Sequence, residues 1–432
     1  MNKKLTFYLL IFSLILNFTI SNVLASEEIQ IESTAAILID ATSGTVLFEK
    51  DGYGKHYPAS ITKLLTSLLV METLSPDDII THSHNAVNSL PPGSSSIGMR
   101  RDEQLTVDQA LHGLLLMSAN EIANAFAEEI SGSIENFSKQ MTTRAKELGA
   151  LNSNFVNPHG LHDDNHYTTA YDMAIITREL VTHQYFRNIM KNITYQIPET
   201  NVVSEIRYLA QRHPFMNHIR DVASYREEVI GGKTGYTIPA GHTLVTIAEK
   251  NDLTLIVVIL GSDNNKRYSD TNKLIDYGFN NFKQVKLIPP DLMETLAIVE
   301  HSDNASTDLG SSVVSVNTFS PFYVLAPISE AEIVTKMELP EYLSKDVAIG
   351  DKVGTFSYYQ NDRFLASIDL VIEDVNLLVL EKASAIKASL DWKRLLAFLV
   401  VAIFLLLIAI RSKFKRNRLY YYRRSRRTRY FN

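Results

Sequence analysis

Three short strings could assemble a serine nucleophile: Ser60-Ile-Thr-Lys63, Ser118-Ala-Asn120 and Lys233-Thr-Gly235. A serine hydroxyl attacks a carbonyl carbon well only when a base takes its proton. Residues three apart on a helix share a face, so Lys63 can point the way Ser60 points. Pro58 followed by Ile61, Leu64, Leu65, Leu68 and Leu69 reads as a proline-opened helix with Ser60 in its first turn. The N–H groups and positive dipole end of that turn favour a developing oxyanion. Lys63 works as a base only when neutral, so its pKa must fall by roughly three units, about 4 kcal/mol of differential interaction. Burial and a second ammonium such as Lys233 can do that.

Taken singly the strings are weak. Ser384 and Lys387 repeat the first spacing, and Ser262-Asp-Asn264, Ser302-Asp-Asn304 and Ser315-Val-Asn317 repeat the second. Lys-Thr-Gly occurs once, and of the four Ser-x-Asn strings named here only Ser118-Ala-Asn120 lies between the other two motifs. It also separates two apolar helical stretches, Val107 to Met117 and Ile122 to Ile130, where a short loop can present polar groups to a cleft.

The surrounding text extends the pattern. It includes His56-Tyr-Pro-Ala-Ser-Ile-Thr-Lys63, Leu105-Thr-Val-Asp-Gln-Ala-Leu111, Asn157-Pro-His-Gly-Leu161 and Asn165-His-Tyr-Thr-Thr-Ala-Tyr-Asp172. Gly231-Gly-Lys-Thr-Gly-Tyr-Thr237, Ala240-Gly-His-Thr-Leu-Val245 and Leu260-Gly261 complete it. Over roughly Ala35 to Phe282 the chain resembles the serine-type D-alanyl-D-alanine carboxypeptidases, low-molecular-mass penicillin-binding proteins of peptidase family S11. Glu121 departs from the aspartate usual after Ser-x-Asn in that family, and keeps its charge.

The resemblance implies the roles. Ser60 would form an acyl-enzyme with the penultimate D-alanine, and Lys63 would take its proton. Ser118 would relay a proton to the leaving amine, with Asn120 positioning the substrate amide and Lys63. Lys233 and Thr234 would hold the terminal carboxylate, and the N–H groups of Ser60 and Tyr236 would form the oxyanion hole. Arg267 aligns with a family arginine near that carboxylate; surface charge is the plain alternative. No cofactor or metal is implied. Peptidoglycan stem peptides and β-lactam antibiotics are the expected partners.

The elements that must position these residues follow from patterning. Ala35 to Ile39 and Thr45 to Glu49 flank Thr42-Ser-Gly44 as a hairpin. A helical middle follows, then strands at Val229 to Thr234, Thr243 to Ala248 and Leu253 to Leu260. The expected fold is α/β: a β-lactamase/transpeptidase-like sandwich of antiparallel sheet and helices with a helical subdomain. A small all-β domain and a C-terminal transmembrane helix should follow. The expected boundaries are a signal peptide at 1–25, a catalytic domain at 26–283, the β-domain at 284–379, a juxtamembrane linker at 380–394, a membrane span at 395–410 and a basic tail at 411–432. A polar segment, His301 to Ser312, is expected between strands of the β-domain.

The ends suggest an address. Lys3 and Lys4 precede an apolar run to Ile20, and Val23-Leu-Ala25 suits signal cleavage. There is no cysteine, which excludes disulfides and a lipidated N-terminal cysteine. Leu395 to Ile410 is apolar on every face, which favours spanning over lying on a surface. Sixteen residues make about 24 Å of helix, short of the roughly 30 Å hydrocarbon core, and snorkelling of Lys393, Arg394 and Arg411 can cover the difference. The tail carries ten Lys or Arg and no acid, against a net charge of −6 for the whole chain. It is expected to be cytoplasmic and near lipid, with the acidic body exported; nucleic acid is not an expected partner. Two competing functions remain open at this point. One is a non-catalytic wall sensor or scaffold. The other is a metal-dependent hydrolase using His159, His162, Asp163, Asp164 and His166. A β-lactamase is a third possibility within the enzyme class.

Overall fold

The computed structural model describes residues 29–302, 305–377, 399–403, 405–408 and 410–411. The chain divides into two units. One runs to Leu287 and takes in Phe322–Ala331; the other is Ile288–Pro321 with the chain from Glu332 onward.

The first unit is built on an antiparallel sheet. β1 (Ala35–Asp40) and β2 (Val46–Lys50) form the expected hairpin. Asp40 fixes its turn by accepting from the Ser43 N–H at 2.8 Å and the Ser43 hydroxyl at 2.6 Å. The chain then passes through a 3-10 turn, Ala59–Thr62, into α1 (Lys63–Thr73). The proline-opened α-helix expected from Pro58 thus begins three residues later than Ser60. Ala59 sits at φ +51°, so the backbone enters the helix through a tight turn. Ser60 and Lys63 still face one way, because side chains three apart eclipse in a 3-10 turn. Every residue of α1 from Lys63 to Val70 is buried, as expected for a helix that is apolar all round.

A two-stranded ribbon of β3 (Ile79–Thr81) and β4 (Gln104–Thr106) brackets α2 (His84–Asn88). α3 (Val107–Leu116) opens with a capping box between Thr106 and Gln109. α4 (Asn120–Ser131) and α5 (Ile134–Glu147) complete the helical subdomain. α6 (Ala170–Thr182), α7 (Gln184–Met190) and a ribbon of β5 (Thr194–Ile197) and β6 (Arg207–Ala210) lead back to the sheet. There β7 (Val229–Thr237), β8 (Gly241–Lys250) and β9 (Leu253–Ser262) form a meander. The sheet order is β2-β1-β9-β8-β7, which leaves β7 at an edge. β9 reads Leu-Thr-Leu-Ile-Val-Val-Ile-Leu and is buried on both faces, packed by α6 and by α8 (Lys266–Asn281). The β8–β9 turn places Asn251 and Asp252 at φ +51° and +64°, the signature of a type I′ hairpin.

β10 (Phe282–Leu287) follows α8. β11 (Met293–Ser302) and β12 (Ala305–Val316) come next, and β13 (Phe322–Pro327) then returns to pair with β10 in the first unit. The expected boundary, 283/284, lies just before the division found after Leu287, and the expected β-domain span, 284–379, takes in Phe322–Pro327, which here belongs to the first unit. In the second unit β14 (Ile333–Glu338), β15 (Lys352–Gln360) and β16 (Arg363–Leu377) join β11 and β12 in a sheet of order β11-β12-β16-β15-β14. The polar segment His301 to Ser312 is not a connector. Its described residues extend the two strands, paired from Ser302 with Ala305 onward. Backbone pairing there does not depend on burial, and Ser306, Thr307 and Asp308 stay exposed.

The expected signal peptide, linker and basic tail lie outside the described residues, apart from Arg411 at the head of the tail. Of 395–410, residues 399–403, 405–408 and 410 are described, and they are helical. Among the described residues no helix is long and apolar enough to cross a membrane.

Asp270 ties α8 to the start of β1. Fully buried, it accepts from the Ser33 hydroxyl at 2.6 Å, the Ser33 N–H at 2.8 Å and the Glu32 N–H at 3.0 Å. Hydrogen bonds to a charged group contribute about 1.5–3 kcal/mol each, and the partners left behind would be stranded. Asp270→Ala should lower unfolding stability by roughly 3 kcal/mol, seen as a lower urea midpoint. A midpoint within experimental error of wild type would refute this tie.

Candidate active site

Ser60 lies at the floor of a cleft of about 1060 Å³, and Lys63 lies beneath it. Lys63 is completely buried. Its Nζ donates to the Ser60 hydroxyl oxygen at 3.1 Å and to the His159 carbonyl at 2.6 Å. Burial holds its pKa well below the usual lysine range, and the Lys233 charge pushes the same way. Arg212 adds to the depression and Glu121 opposes it. The site therefore favours the neutral amine that a serine nucleophile needs.

The carbonyl that receives Lys63 comes from the Asn157–Leu161 loop. Thr66 donates to the Pro158 carbonyl at 2.6 Å, and the Asn157 side chain closes the loop on Gly160 N and Leu161 O. Gly160 has φ +83°, and a Cβ there would stand 1.9 Å from the Ala59 carbonyl oxygen. Only glycine lets this loop lie against the Ser60 turn.

Ser118 projects from the break between α3 and α4, held at φ +64°. Its hydroxyl and the Asn120 side-chain oxygen are buried without a partner, and both residues line the cleft. Buried polar atoms are usually hydrogen-bonded, so both atoms are free to bond a group that enters the cleft. The neighbouring Glu121 accepts from the Ser96 hydroxyl at 2.6 Å and the Ile97 N–H at 2.7 Å. It thus pins the loop that forms the facing wall, and Ser95 O receives the Asn120 N–H at 2.8 Å.

The edge strand β7 supplies the third wall. Lys233 is buried, with its Nζ donating to the Thr234 carbonyl at 3.1 Å. Burial and the charge of Arg212 push its pKa down to about 7. Gly235 must be glycine, because a Cβ would meet the Thr243 hydroxyl at 2.4 Å and the Ser60 nitrogen at 2.8 Å. The strand and the Ser60 turn are thereby pressed together, and Thr243 Oγ1 donates to Pro58 O at 2.8 Å across the same seam. Tyr236 is exposed and lines the cleft, its ring tilted at 31° to that of His242. Arg267 is buried at the head of α8. It donates to Asn264 Oδ1 at 2.8 Å and Gly235 O at 3.4 Å, and its Nε is unpartnered. The plain surface-charge reading of Arg267 does not hold, since only 7% of it is exposed.

Of the eight residues singled out from sequence, Ser60, Ser118, Asn120, Thr234, Tyr236 and Arg267 line one cleft. Lys63 and Lys233 are buried below it. Sequence reasoning missed the His159 carbonyl and the Arg212 guanidinium, because neither a backbone carbonyl nor a lone arginine leaves a spacing signal. The histidines weighed as metal ligands are engaged otherwise. The His166 ring bonds Thr62 Oγ1 at 2.9 Å and accepts the Val156 N–H at 3.1 Å, and His159 Nδ1 accepts the Leu161 N–H. Burial lowers the His166 pKa to about 4.

A profile of the D-alanyl-D-alanine carboxypeptidase family, peptidase S11, matches residues 22–264. The chain belongs to this family. D-alanyl-D-alanine carboxypeptidase DacF of Bacillus subtilis (strain 168) is 29% identical over 350 residues, 79% of this chain and 85% of that one. The enzyme DacC of Escherichia coli (strain K12) is 30% identical over 354 residues, 79% of this chain and 84% of that one. The crystal structure of penicillin binding protein 5 from Haemophilus influenzae matches with a TM-score of 0.65 at 27% identity, covering 80% of this chain and 98% of that one. The fold is the α/β penicillin-binding protein fold, with antiparallel sheets and helices. Lys63 is the base expected of this site from the sequence, so its pKa should set the acid limb of acylation. Because the Glu121 charge raises the Lys63 pKa, Glu121→Gln should move the acid limb of fluorescent-penicillin acylation to lower pH. A limb that stays put or moves up would show that Lys63 does not control it.

Proposed function

We propose that this protein is a serine-type D-alanyl-D-alanine carboxypeptidase that removes the terminal D-alanine from peptidoglycan pentapeptide stems. One observation carries the reading: a fully buried lysine amine 3.1 Å from the hydroxyl of a cleft-lining serine. A non-catalytic scaffold would have no use for it. Burying Lys233 to a pKa near 7 alone corresponds to about 5 kcal/mol of differential interaction, and Lys63 is depressed as well.

The steps follow from the placement. Neutral Lys63 takes the Ser60 proton as Oγ attacks the carbonyl carbon of the penultimate residue. The oxyanion is received by the N–H groups of Ser60 and Tyr236, donors fixed in advance where charge develops. Lys233, Thr234 and Arg267 hold the terminal carboxylate, for which a planar guanidinium is suited. Ser118 passes a proton to the leaving nitrogen, the C–N bond breaks, and D-alanine departs. Asn120 orients the acyl amide and Lys63. Water then attacks the Ser60 ester, gives its proton back through the same groups, and releases the shortened peptide. β-Lactams would acylate Ser60 by the first half of this sequence.

The address remains part of the proposal: cleavage of a signal peptide at 1–25 and anchoring through 395–410. The catalytic unit would then be outside, and the basic tail, 411–432, inside against anionic lipid. The charge bias of the two ends supports it.

Purified full-length protein should release D-alanine from diacetyl-Lys-D-Ala-D-Ala. Ser60→Ala should lose this by roughly a thousandfold or more, together with covalent labelling by fluorescent penicillin. Equal release from both proteins would remove Ser60 as nucleophile, and no release from either would favour a sensor.

A further inference from the structure

The cleft holds more positive charge than one terminal carboxylate needs. Arg267, with Lys233 below it, faces the place assigned to that group. Arg212 and Arg220 line the same cleft beyond them. Both are exposed. Among the described residues neither guanidinium has a carboxylate within 4.0 Å; the eighteen ion pairs all lie elsewhere. Among the described residues Arg212 reaches only the Ser95 hydroxyl, at 3.5 Å, and the Arg220 guanidinium makes no hydrogen bond. Arg220 is nevertheless placed, since its N–H bonds Asn217 Oδ1 at 3.0 Å. The one acid on this wall, Asp221, accepts instead from Ser224 N at 3.1 Å. Packing of the guanidinium against the cleft wall is the larger cause, and the nearby Arg220 charge the smaller, of a lowered Arg212 pKa. Two like charges held together without a counter-ion, on the wall of a cleft, are set for an anion from the ligand.

We propose that Arg220, with Arg212 beside it, binds a second carboxylate of the substrate, distinct from that of the terminal residue, and selects peptides that carry one. The inference rests on the carboxypeptidase reading and names the substrate class within it. The second carboxylate can come from two places: the acyl side, upstream of the scissile bond, or a leaving residue bulkier than D-alanine. Either presents the same planar anion to the same fork.

The experiment compares two acid and amide pairs with diacetyl-Lys-D-Ala-D-Ala as reference, using full-length protein. The acyl-side pair is acetyl-γ-D-Glu-(Nε-acetyl)Lys-D-Ala-D-Ala with its free α-carboxylate or the α-carboxamide. The leaving-side pair is diacetyl-Lys-D-Ala-D-Glu against diacetyl-Lys-D-Ala-D-Gln. In one pair the acid should exceed its amide in kcat/KM by about fivefold, mainly through KM, as expected of a solvent-exposed ion pair. Arg220→Gln should erase that gap and leave the reference peptide unchanged, while Arg220→Lys should keep part of it. The pair that responds identifies the source. No gap in either pair, or a gap that survives Arg220→Gln, overturns the subsite while the carboxypeptidase reading stands. Failure to cleave even the reference overturns that reading and the subsite with it.

Discussion

A lysine amine with no access to water, 3.1 Å from a serine hydroxyl, is the constraint around which the catalytic unit is organised. Water stabilises an ammonium far better than a protein interior does, so burial selects the neutral form. Among the described residues Lys63 has no carboxylate partner; its Nζ contacts are a carbonyl and a hydroxyl, which accept from an amine or an ammonium alike. The second buried lysine, Lys233, sharpens the effect by charge. Linkage gives the sign of the cost. With its folded pKa near 7 and its unfolded value near 10.5, Lys233 binds fewer protons folded than unfolded across that window. Stability from this group therefore rises with pH between those values, and below about 7 the full penalty stands. The site is strained electrostatically at the pH where a cell would use it, and the large apolar core around α1 and β9 offsets that strain.

Holding the amine in register needs backbone, not only side chains. The Ser60 turn is gripped from two directions. On one side Gly160 brings its loop against the Ala59 carbonyl, and on the other Gly235 brings the edge strand against the Ser60 nitrogen. Neither position could carry a Cβ without moving the nucleophile. Ala59 and Ser118, both at positive φ, add local strain of order 1–3 kcal/mol each. Such conformations persist only where the surroundings over-determine them, and here the helices, the loop and the strand all converge.

Much of this was legible in the sequence. The order of the three strings set aside the decoys that follow Lys233, and the periodicity switch from helical middle to Leu253-rich strands foretold the sheet. Contacts made through backbone were hidden. Nothing in the spacing says that the carbonyl of His159, rather than its ring, meets Lys63, and of the imidazoles at metal-like spacing His159 and His166 are buried in hydrogen bonds to the surrounding loops. The Pro58 signal foretold a helix start but not the 3-10 turn before it, because the left-handed Ala59 is imposed by packing against Gly160 and Gly235. The strand Phe322–Pro327 looked continuous with the later β-rich text, and only its pairing with Phe282–Leu287 assigns it to the first unit.

Net charge points the wrong way for this cleft. The chain is acidic overall, yet among the described residues the groups around Ser60 without a carboxylate in ion-pair reach are Lys63, Lys233, Arg212, Arg220 and Arg267. Local field, not total charge, sets the chemistry where low-dielectric walls focus it. The same field links binding to catalysis in the proposed mechanism. A substrate carboxylate beside Lys233 adds negative charge, raises the basicity of Lys63 and so strengthens it as the proton acceptor during attack. When the carboxylate leaves with D-alanine, the positive field returns and Lys63 sheds its proton more readily, as deacylation requires. A ligand whose carboxylate stays tethered to the acyl group, as in an opened penicillin, would keep that field neutralised. Carboxylate recognition and turnover are then two readings of one electrostatic arrangement.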